Sequence, residues 1–97
     1  MNLWVEREIE YKGIKYIVKL KKITFSDIID LFKDNNNIIS GKELRELYSK
    51  CIKIYDKNNN FEFSLFDIPV QDIDLFNKII NLFFELNPFL KVEEVKS

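Results

Sequence analysis

The stretch from residue 67 to residue 87 constrains the fold of this chain more than any other. At 100° per residue its apolar side chains fall into two adjacent rows along a helix. The first row contains Ile73, Phe76, Ile80, Phe83 and Phe84, and the second apolar row contains Leu75, Ile79, Leu82 and Leu86. Together the rows cover roughly 200° of the helix, about twice the arc that a surface helix buries. The pattern predicts a helix that either lies at the centre of a small domain or offers its second apolar row to a partner.

Both ends of this helix carry sequence signals. Asp67 and Pro69 precede the first apolar residue, and an acidic residue followed by proline is typical of a helix start. Pro88 follows the last apolar residue, and the residue before a proline avoids the α-helical conformation. The signals predict a helix that opens at Asp67 and Pro69 and closes at Pro88.

Residues 3–23 have the pattern of a β-hairpin, with strands over Leu3–Tyr11 and Ile14–Ile23 and a turn at Lys12 and Gly13. Pairing across this two-residue turn places apolar residues opposite each other on one face and opposite charges on the other. The predicted pairs are Val5 with Leu20, Ile9 with Tyr16, Tyr11 with Ile14, Glu6 with Lys19 and Glu10 with Lys15. A slip of one residue would move every side chain to the other face and destroy the match.

Two further helices are predicted between the hairpin and the apolar helix. Thr24 and Asp27 open the first, which runs to about Asp34. Its inward residues are predicted to be Phe25, Ile28, Ile29 and Phe32. Ser40 and Glu43 form a capping box for the second, which runs to about Lys57. Its buried residues are predicted to be Leu44, Leu47, Tyr48, Cys51 and Tyr55. The segment from residue 61 to 65 follows as a short strand or an extended link.

The predicted fold class is therefore α+β, with an N-terminal β-hairpin followed by three α-helices, the last one central and mostly apolar. At 97 residues, of which 46% are hydrophobic, the chain has the length and composition of one folded domain. We expect that domain to span residues 1–90 and to be followed by a flexible, charged tail over residues 91–97. No run of eighteen apolar residues predicts a membrane span, and no secretory signal is visible at the N-terminus. A cytoplasmic location is expected.

The residue types argue against catalysis. The chain has no histidine and one cysteine, so the commonest general base and the usual zinc ligands are missing. Cys51 falls in an apolar row, where a small core residue is expected. The lysines of the second strand face Glu6 and Glu10, which neutralise much of the surface that a nucleic acid would need. We expect no enzymatic activity, no cofactor, no metal ligands and no nucleic-acid partner.

The segment from Asp56 to Asp67 suggests a calcium-binding loop. Oxygen-bearing side chains occupy positions 1, 3, 5, 7, 9 and 12 of twelve, as in an EF-hand. Phe61, however, stands where the loop needs glycine, and Asp67 stands where it needs a bidentate glutamate. A degenerate EF-hand-like calcium-binding module is therefore the third functional hypothesis.

Four segments, in their order along the chain, resemble the small tail assembly chaperones of long-tailed bacteriophages and prophages. They are Ile9–Val18 in the hairpin, Ile23–Phe32 directly after it, the acidic lead-in Phe66–Asp74, and Glu85–Leu90 at the end of the apolar helix. The resemblance implies a non-enzymatic protein of the infected bacterium's cytoplasm. It also implies a partner, the long helical tape measure protein, which these chaperones coat before the tail tube polymerises around it.

Two surfaces are candidates for partner binding. The second apolar row (Leu75, Ile79, Leu82 and Leu86) is the first, because an apolar strip can cover a long helix or join copies of the chain into a homo-oligomer. Trp4 is the second, because it falls on the polar face of the hairpin, where it either covers the core from below or contacts a partner. The alternative function is a small regulatory or inhibitory module of a mobile element that binds a host protein through the hairpin. An exposed Trp4 with a basic rim would favour that alternative.

Overall fold

The computed structural model describes residues 2–32 and 41–90, with the backbone alone for residues 30–32 and 90. Its strands are β1 (Trp4–Tyr11), β2 (Ile14–Lys21), β3 (Ile52–Asp56) and β4 (Phe61–Phe63). Its α-helices are α1 (Phe25–Phe32), α2 (Gly41–Cys51) and α3 (Ile73–Leu86). Short 3₁₀ helices span Leu65–Asp67, Val70–Asp72 and Pro88–Leu90. The predicted capping box at Ser40 and the predicted tail over residues 91–97 lie outside the described residues.

The four strands form one antiparallel sheet in the order β1-β2-β3-β4, so the described part of the chain is α+β. The register predicted for the hairpin is confirmed, with Tyr11 opposite Ile14 and Glu6 opposite Lys19. Lys12 and Gly13 have φ values of 50° and 80°. Positive φ at both positions is what a type I′ hairpin turn requires, and glycine adopts it without strain.

The second predicted helix is too long, which changes the arrangement of the fold. It ends at Cys51, and the next five residues form β3 beside β2, with Val18 opposite Ile54. Ile52, Ile54 and Asp56 are buried, whereas Lys53 is exposed and Tyr55 is half-buried. This alternation with period two is a strand signal, and tertiary pairing overrides the helical reading of the same residues. The hairpin is therefore half of a larger sheet and not a separate unit followed by helices.

The inner face of the sheet carries the core. α3 packs on β2 and α2 packs on β3. Phe83 of α3 is completely buried, and the ring of Tyr48 meets it edge-on at 5.6 Å between centroids. The other buried hydrophobic residues are Tyr16, Val18, Leu20, Leu47, Cys51, Ile52, Ile54, Leu65, Leu75 and Ile79. Cys51 is thus the small core residue that the sequence predicts. None of the described helices has the length and apolar character to cross a membrane.

The apolar helix ends where predicted and begins later. Leu86 is its last residue, and Asn87 follows before Pro88. At the other end, Asp67 forms a capping box with Ser64 for a 3₁₀ helix, and Pro69 precedes another. The acidic residue and the proline therefore start short 3₁₀ helices, and α3 itself begins at Ile73.

α1 presents a different face to the interior than predicted. Phe25 is 84% exposed and Ile29 is also exposed, whereas Asp27 is 3% exposed. Asp27 is held in place by its neighbours: Lys21 Nζ lies 2.7 Å from its Oδ2, and Lys50 Nζ lies 3.1 Å from its Oδ1. Burial acts to raise the pKa of Asp27, but hydrogen bonds from Lys21, Thr24 and Lys50 outweigh burial and hold it well below its ordinary value.

Asn87 joins the end of α3 to the end of β2. Its Oδ1 accepts a hydrogen bond from the Ile23 N–H at 2.8 Å, and its Nδ2 donates to the Lys21 carbonyl at 3.1 Å. The side chain is buried, so each of these bonds replaces one that water would otherwise make. The helix that covers the sheet is thereby fixed at its C-terminus as well as by its apolar face.

Candidate functional site

The second apolar row of α3 lies against the sheet. Leu75 is 3% exposed, Ile79 is completely buried, and Leu82 and Leu86 are half-buried against the core. The row is therefore not an available surface in this fold, and a partner could reach Leu75 and Ile79 only if α3 left the sheet. In the structure this row belongs to the core, whereas the sequence leaves open whether the core or a partner covers it.

The reason lies in two strands beyond the hairpin: β3, which the sequence did not predict, and β4, which falls in the segment predicted to be a short strand or an extended link. A hairpin alone offers a narrow apolar face, but β3 and β4 double the number of strands and widen the surface that α3 has to cover. The first row of α3 is shared between core and solvent. Phe76, Ile80 and Phe84 are half-buried, Ile73 is half-exposed, and the ring of Phe76 meets Phe66 at 6.3 Å between centroids.

Trp4 lies on the outer face of the sheet, opposite Lys21 in the hairpin register, and is 36% exposed. The charged residues of this face on β1, β3 and β4 are exposed, whereas Lys21 at its edge pairs with Asp27 of α1. Beside Trp4 the sheet forms a shallow depression of about 610 Å³, bordered by Glu6, Lys19 and Lys53. Trp4 thus does not cover the core from below, and it remains available for contact.

A second depression of about 310 Å³ continues along the same face. Its centre is apolar, formed by Ile17 and Tyr55, which are half-buried neighbours in the register of β2 and β3. We define the outer sheet face as the surface that joins the two depressions. Its lining residues are Asn2, Trp4, Glu6, Ile17, Lys19, Lys53, Tyr55 and Glu62.

The outer sheet face carries charges of both signs. Glu6 of β1 lies opposite Lys19 of β2, and Lys19 lies opposite Lys53 of β3. Lys19 Nζ is 3.9 Å from Glu6 Oε1, and Lys57 Nζ is 3.5 Å from Glu8 Oε2. The rim around Trp4 is thus mixed in charge, where the alternative function anticipates a basic one.

Ile17 and Tyr55 were not among the predicted contact residues. Tyr55 was assigned to the buried side of a helix, because the run from Ile52 to Asp56 was read as helical. The alternation of Ile52, Ile54 and Asp56 with Lys53 and Tyr55 is the signal that would have placed Tyr55 on the outer side of a strand.

The proposed calcium loop folds as the second hairpin of the sheet. Asp56 Oδ1 accepts hydrogen bonds from the N–H groups of Asn58 and Asn59 at 2.9 and 3.0 Å, and Asn59 Nδ2 donates to Oδ2. Glu62 pairs with Tyr55 in the register, so it points to the face opposite Asp56. The oxygens at alternate positions therefore do not converge, and a strand precedes them where an EF-hand has a helix.

The remaining chemistry is structural. Among the described residues, no three acidic, cysteine or histidine side chains are close enough together to hold a metal ion. The thiol of Cys51 is completely buried, and burial raises its pKa, which keeps it in the unreactive protonated form.

The chain matches no protein-family model, no curated protein and no solved structure.

Proposed function

We propose that this chain is a non-catalytic protein-binding module that acts as a phage tail assembly chaperone. Its partner would be the helical tape measure protein, in the cytoplasm of the infected bacterium, as the resemblance in segment order implies. The chain would bind this partner through the outer sheet face, and not through the second apolar row of α3.

The observation that supports this proposal is the partial exposure of Trp4 on a sheet face where Ile17 and Tyr55 are also only half-buried. Tryptophan and tyrosine are enriched among the residues that contribute most to protein–protein binding. Here Trp4, Ile17 and Tyr55 supply apolar area, and the charged row of Glu6, Lys19 and Lys53 lies between Trp4 and the other two. Protein interfaces combine apolar contact area with polar and charged groups, and this face offers both.

The test is a binding measurement with the tape measure protein encoded in the same genome. We expect the two proteins to copurify after coexpression, and the Trp4→Ala variant to bind at least about tenfold more weakly in calorimetry, as for a central interface residue. Phe25→Ala is the matched control, because Phe25 is an aromatic residue that is exposed on α1 and contributes little to the core. Absence of any association of the wild-type chain with this partner would rule out the chaperone role.

A regulatory or inhibitory module that binds a host protein is the second candidate. The exposure of Trp4 on the hairpin favours it, although the mixed charge of the rim does not. The two candidates use the same surface and differ in partner. Binding to a purified host protein that Trp4→Ala abolishes, together with no binding to the tape measure protein, would select this second candidate.

Self-association is part of the chaperone proposal, since copies that tile a long helix contact one another. Light scattering over a hundredfold range of concentration measures it directly. Because Leu75 and Ile79 are buried, oligomers would have to form through another surface than the second apolar row. Loss of oligomers in Trp4→Ala would assign the contact between copies to the outer sheet face.

A further inference from the structure

A second concave site lies on the covered side of the sheet, between the β3–β4 hairpin and the start of α3. We call it the Tyr16 groove. It has a volume of about 200 Å³ and apolar walls that include Phe61, Phe63, Ile68 and Leu75. Tyr16 and three carboxyl groups, those of Asp56, Asp67 and Asp72, complete its lining. None of these residues belongs to the outer sheet face.

Tyr16 is the unusual member of this lining. Its side chain is 8% exposed, yet its hydroxyl makes no hydrogen bond with any described residue. The other tyrosines that line or border these sites do have partners: the Tyr11 hydroxyl donates to Asp72 and the Tyr55 hydroxyl donates to Asn60. The described residues contain no fully enclosed polar side-chain atom without a partner, so the Tyr16 hydroxyl must open into the groove. A buried phenol usually finds a partner, and here the groove is where one can enter.

The groove carries an excess of negative charge. Asp56 accepts hydrogen bonds from amide groups of Asn58 and Asn59 and has no ion-pair partner among the described residues. Asp67 accepts a hydrogen bond from the Ser64 N–H. Asp72 is paired with Lys12 at 3.1 Å, and that lysine side chain is 66% exposed. Three carboxyl groups thus line the groove, and the Lys12 ammonium group is the positive charge paired with one of them.

The negative charge of the groove acts on the Tyr16 hydroxyl. Burial raises the pKa of Tyr16, and the nearby charges of Asp56 and Asp72 raise it further. The phenol therefore stays neutral, with oxygen lone pairs that can accept a hydrogen bond. The Asn59 side chain, which donates a hydrogen bond, lowers the pKa of Asp56, so that carboxyl group stays ionised.

The size and lining of the Tyr16 groove limit the kinds of ligand that it can bind. The groove is smaller than the roughly 300–1,000 Å³ of pockets that hold drug-sized molecules, so it suits a single side chain. Its carboxylates are not grouped closely enough to hold a metal ion within the described residues. The apolar walls favour an organic cation with an aliphatic stem, because such a stem can pack on Phe61 and Leu75 while its charged end remains solvated or paired.

We propose that the Tyr16 groove binds a lysine side chain of a protein partner, with the ammonium group donating a hydrogen bond to the Tyr16 hydroxyl oxygen and attracted by Asp56 and Asp72. The proposal rests on the proposed function only for the source of the lysine, which is a protein. The groove would add a charge-specific contact at a site separate from the outer sheet face.

The test uses a small probe in place of the partner. Nα-acetyl-lysine methylamide is titrated into the ¹⁵N-labelled chain, and amide shifts are followed by NMR. The norleucine analogue, which has the aliphatic stem without the ammonium group, is the control ligand. We expect saturable shifts around Tyr16, Asp56 and Leu75 with the lysine compound alone, with a dissociation constant in the millimolar range, since single side chains bind weakly.

Variants then separate the contribution of the Tyr16 hydroxyl to probe binding from that of the carboxyl groups. Tyr16→Phe is expected to weaken binding about tenfold, because a hydrogen bond to a charged group is lost. It should fold normally, since the hydroxyl has no partner among the described residues. Tyr48→Phe is its matched control, since it removes a hydroxyl from a core tyrosine outside the groove. The double variant Asp56→Asn with Asp72→Asn should also weaken binding, whereas Asp74→Asn with Glu85→Gln changes the net charge equally at exposed positions of α3 and should not.

Three results would overturn the proposal. They are no saturable shift up to about 50 mM probe, equal shifts with the norleucine compound, and wild-type affinity in Tyr16→Phe. Trp4→Ala should bind the probe as the wild type does, because Trp4 lies outside the groove. A failure of the lysine probe to bind would therefore not argue against the proposed function. A failure of the tape measure protein to bind would not argue against lysine binding in the groove.

Discussion

The two faces of the sheet are built from alternate residues of the same strands, yet they form opposite kinds of surface. On the inner face Val18, Leu20 and Ile54 are buried beneath the helices. On the outer face Ile17 and Tyr55 are only half-buried and lie among exposed charged residues. Because successive side chains of a strand point to opposite faces, one step along the chain separates a residue that stabilises the fold from one that is available to a partner.

Burial also differs within the outer face, where Lys19 and Lys21 of β2 lie two residues apart and form different ion pairs. Lys21 and Asp27 are 2.7 Å apart, with side chains 16% and 3% exposed. Lys19 and Glu6 are 3.9 Å apart, with side chains 53% and 64% exposed. The attraction between two charges weakens as the effective dielectric constant rises, and water also screens exposed pairs. The first pair should therefore contribute to stability, and the second should contribute mainly to solubility.

The largest effect is expected on the inner face, from replacing Leu75 and Leu82 by serine. A buried leucine that is cut back costs roughly 2–5 kcal/mol, and a buried hydroxyl without a partner adds to that cost. Since small domains are stable by only about 5–15 kcal/mol, the double variant should be largely unfolded. Urea denaturation followed by circular dichroism measures this.

The control for that experiment is Ile73→Ser on the same helix, where the side chain is already half-exposed and the loss should be less than about 1 kcal/mol. A double variant that unfolds at the wild-type urea concentration would show that the second apolar row does not support the fold. It would also return that row to consideration as the partner-binding surface.

An intermediate effect is expected from Asp27→Asn, which removes the charge from the buried ion pair. The asparagine can keep a hydrogen bond to Thr24 but attracts Lys21 and Lys50 much less. We expect a loss of roughly 2–3 kcal/mol at neutral pH, the range for hydrogen bonds to charged groups. Equal stability of the wild type and the variant at neutral pH would mean that the free-energy cost of burying the Asp27 charge cancels the stabilisation from its ion pairs.

The same group predicts a pH dependence. The pKa of Asp27 in the folded state is held below its ordinary value of 3.8, so above that value the carboxylate contributes its full stabilisation. As the pH falls below about 3.8 the unfolded chain takes up the proton first, and the contribution is lost progressively down to the folded pKa. The stability difference between the wild type and Asp27→Asn should thus shrink on acidification, which urea titrations between about pH 2.5 and 7 would measure.

These differences also explain which parts of the fold could be predicted from the sequence. The hairpin register was predictable because turn, charge pairs and apolar alternation all lie within residues 4–21. β3 was not, because Ile52–Asp56 follows α2 without a break and its strand pairing depends on a partner more than thirty residues earlier. The burial of Asp27 in α1 could not be predicted for a similar reason, because its partner Lys50 belongs to another helix.

The candidate sites differ in the same respect, since one depends on local sequence and the other on contacts between distant elements. Trp4 could be placed on the polar face of the hairpin from local alternation alone, and the structure keeps it there. The Tyr16 groove could not be foreseen, because Tyr16, Asp56 and Leu75 come from three elements separated along the chain. Periodicity shows which face a residue takes within one element, but the meeting of elements depends on packing that one segment does not encode.

The smallest effect is expected on the outer face, from Lys19→Gln. The pair with Glu6 is long and exposed, and exposed pairs contribute about 0–1 kcal/mol, less as salt is added. We therefore expect the free energy of unfolding to change by less than about 0.5 kcal/mol, whereas the salt dependence of binding to a partner through this face should change. Measurement of both quantities at low and high salt separates them. A loss of stability as large as that of Asp27→Asn would mean that the outer face is covered by structure and is not available to a partner.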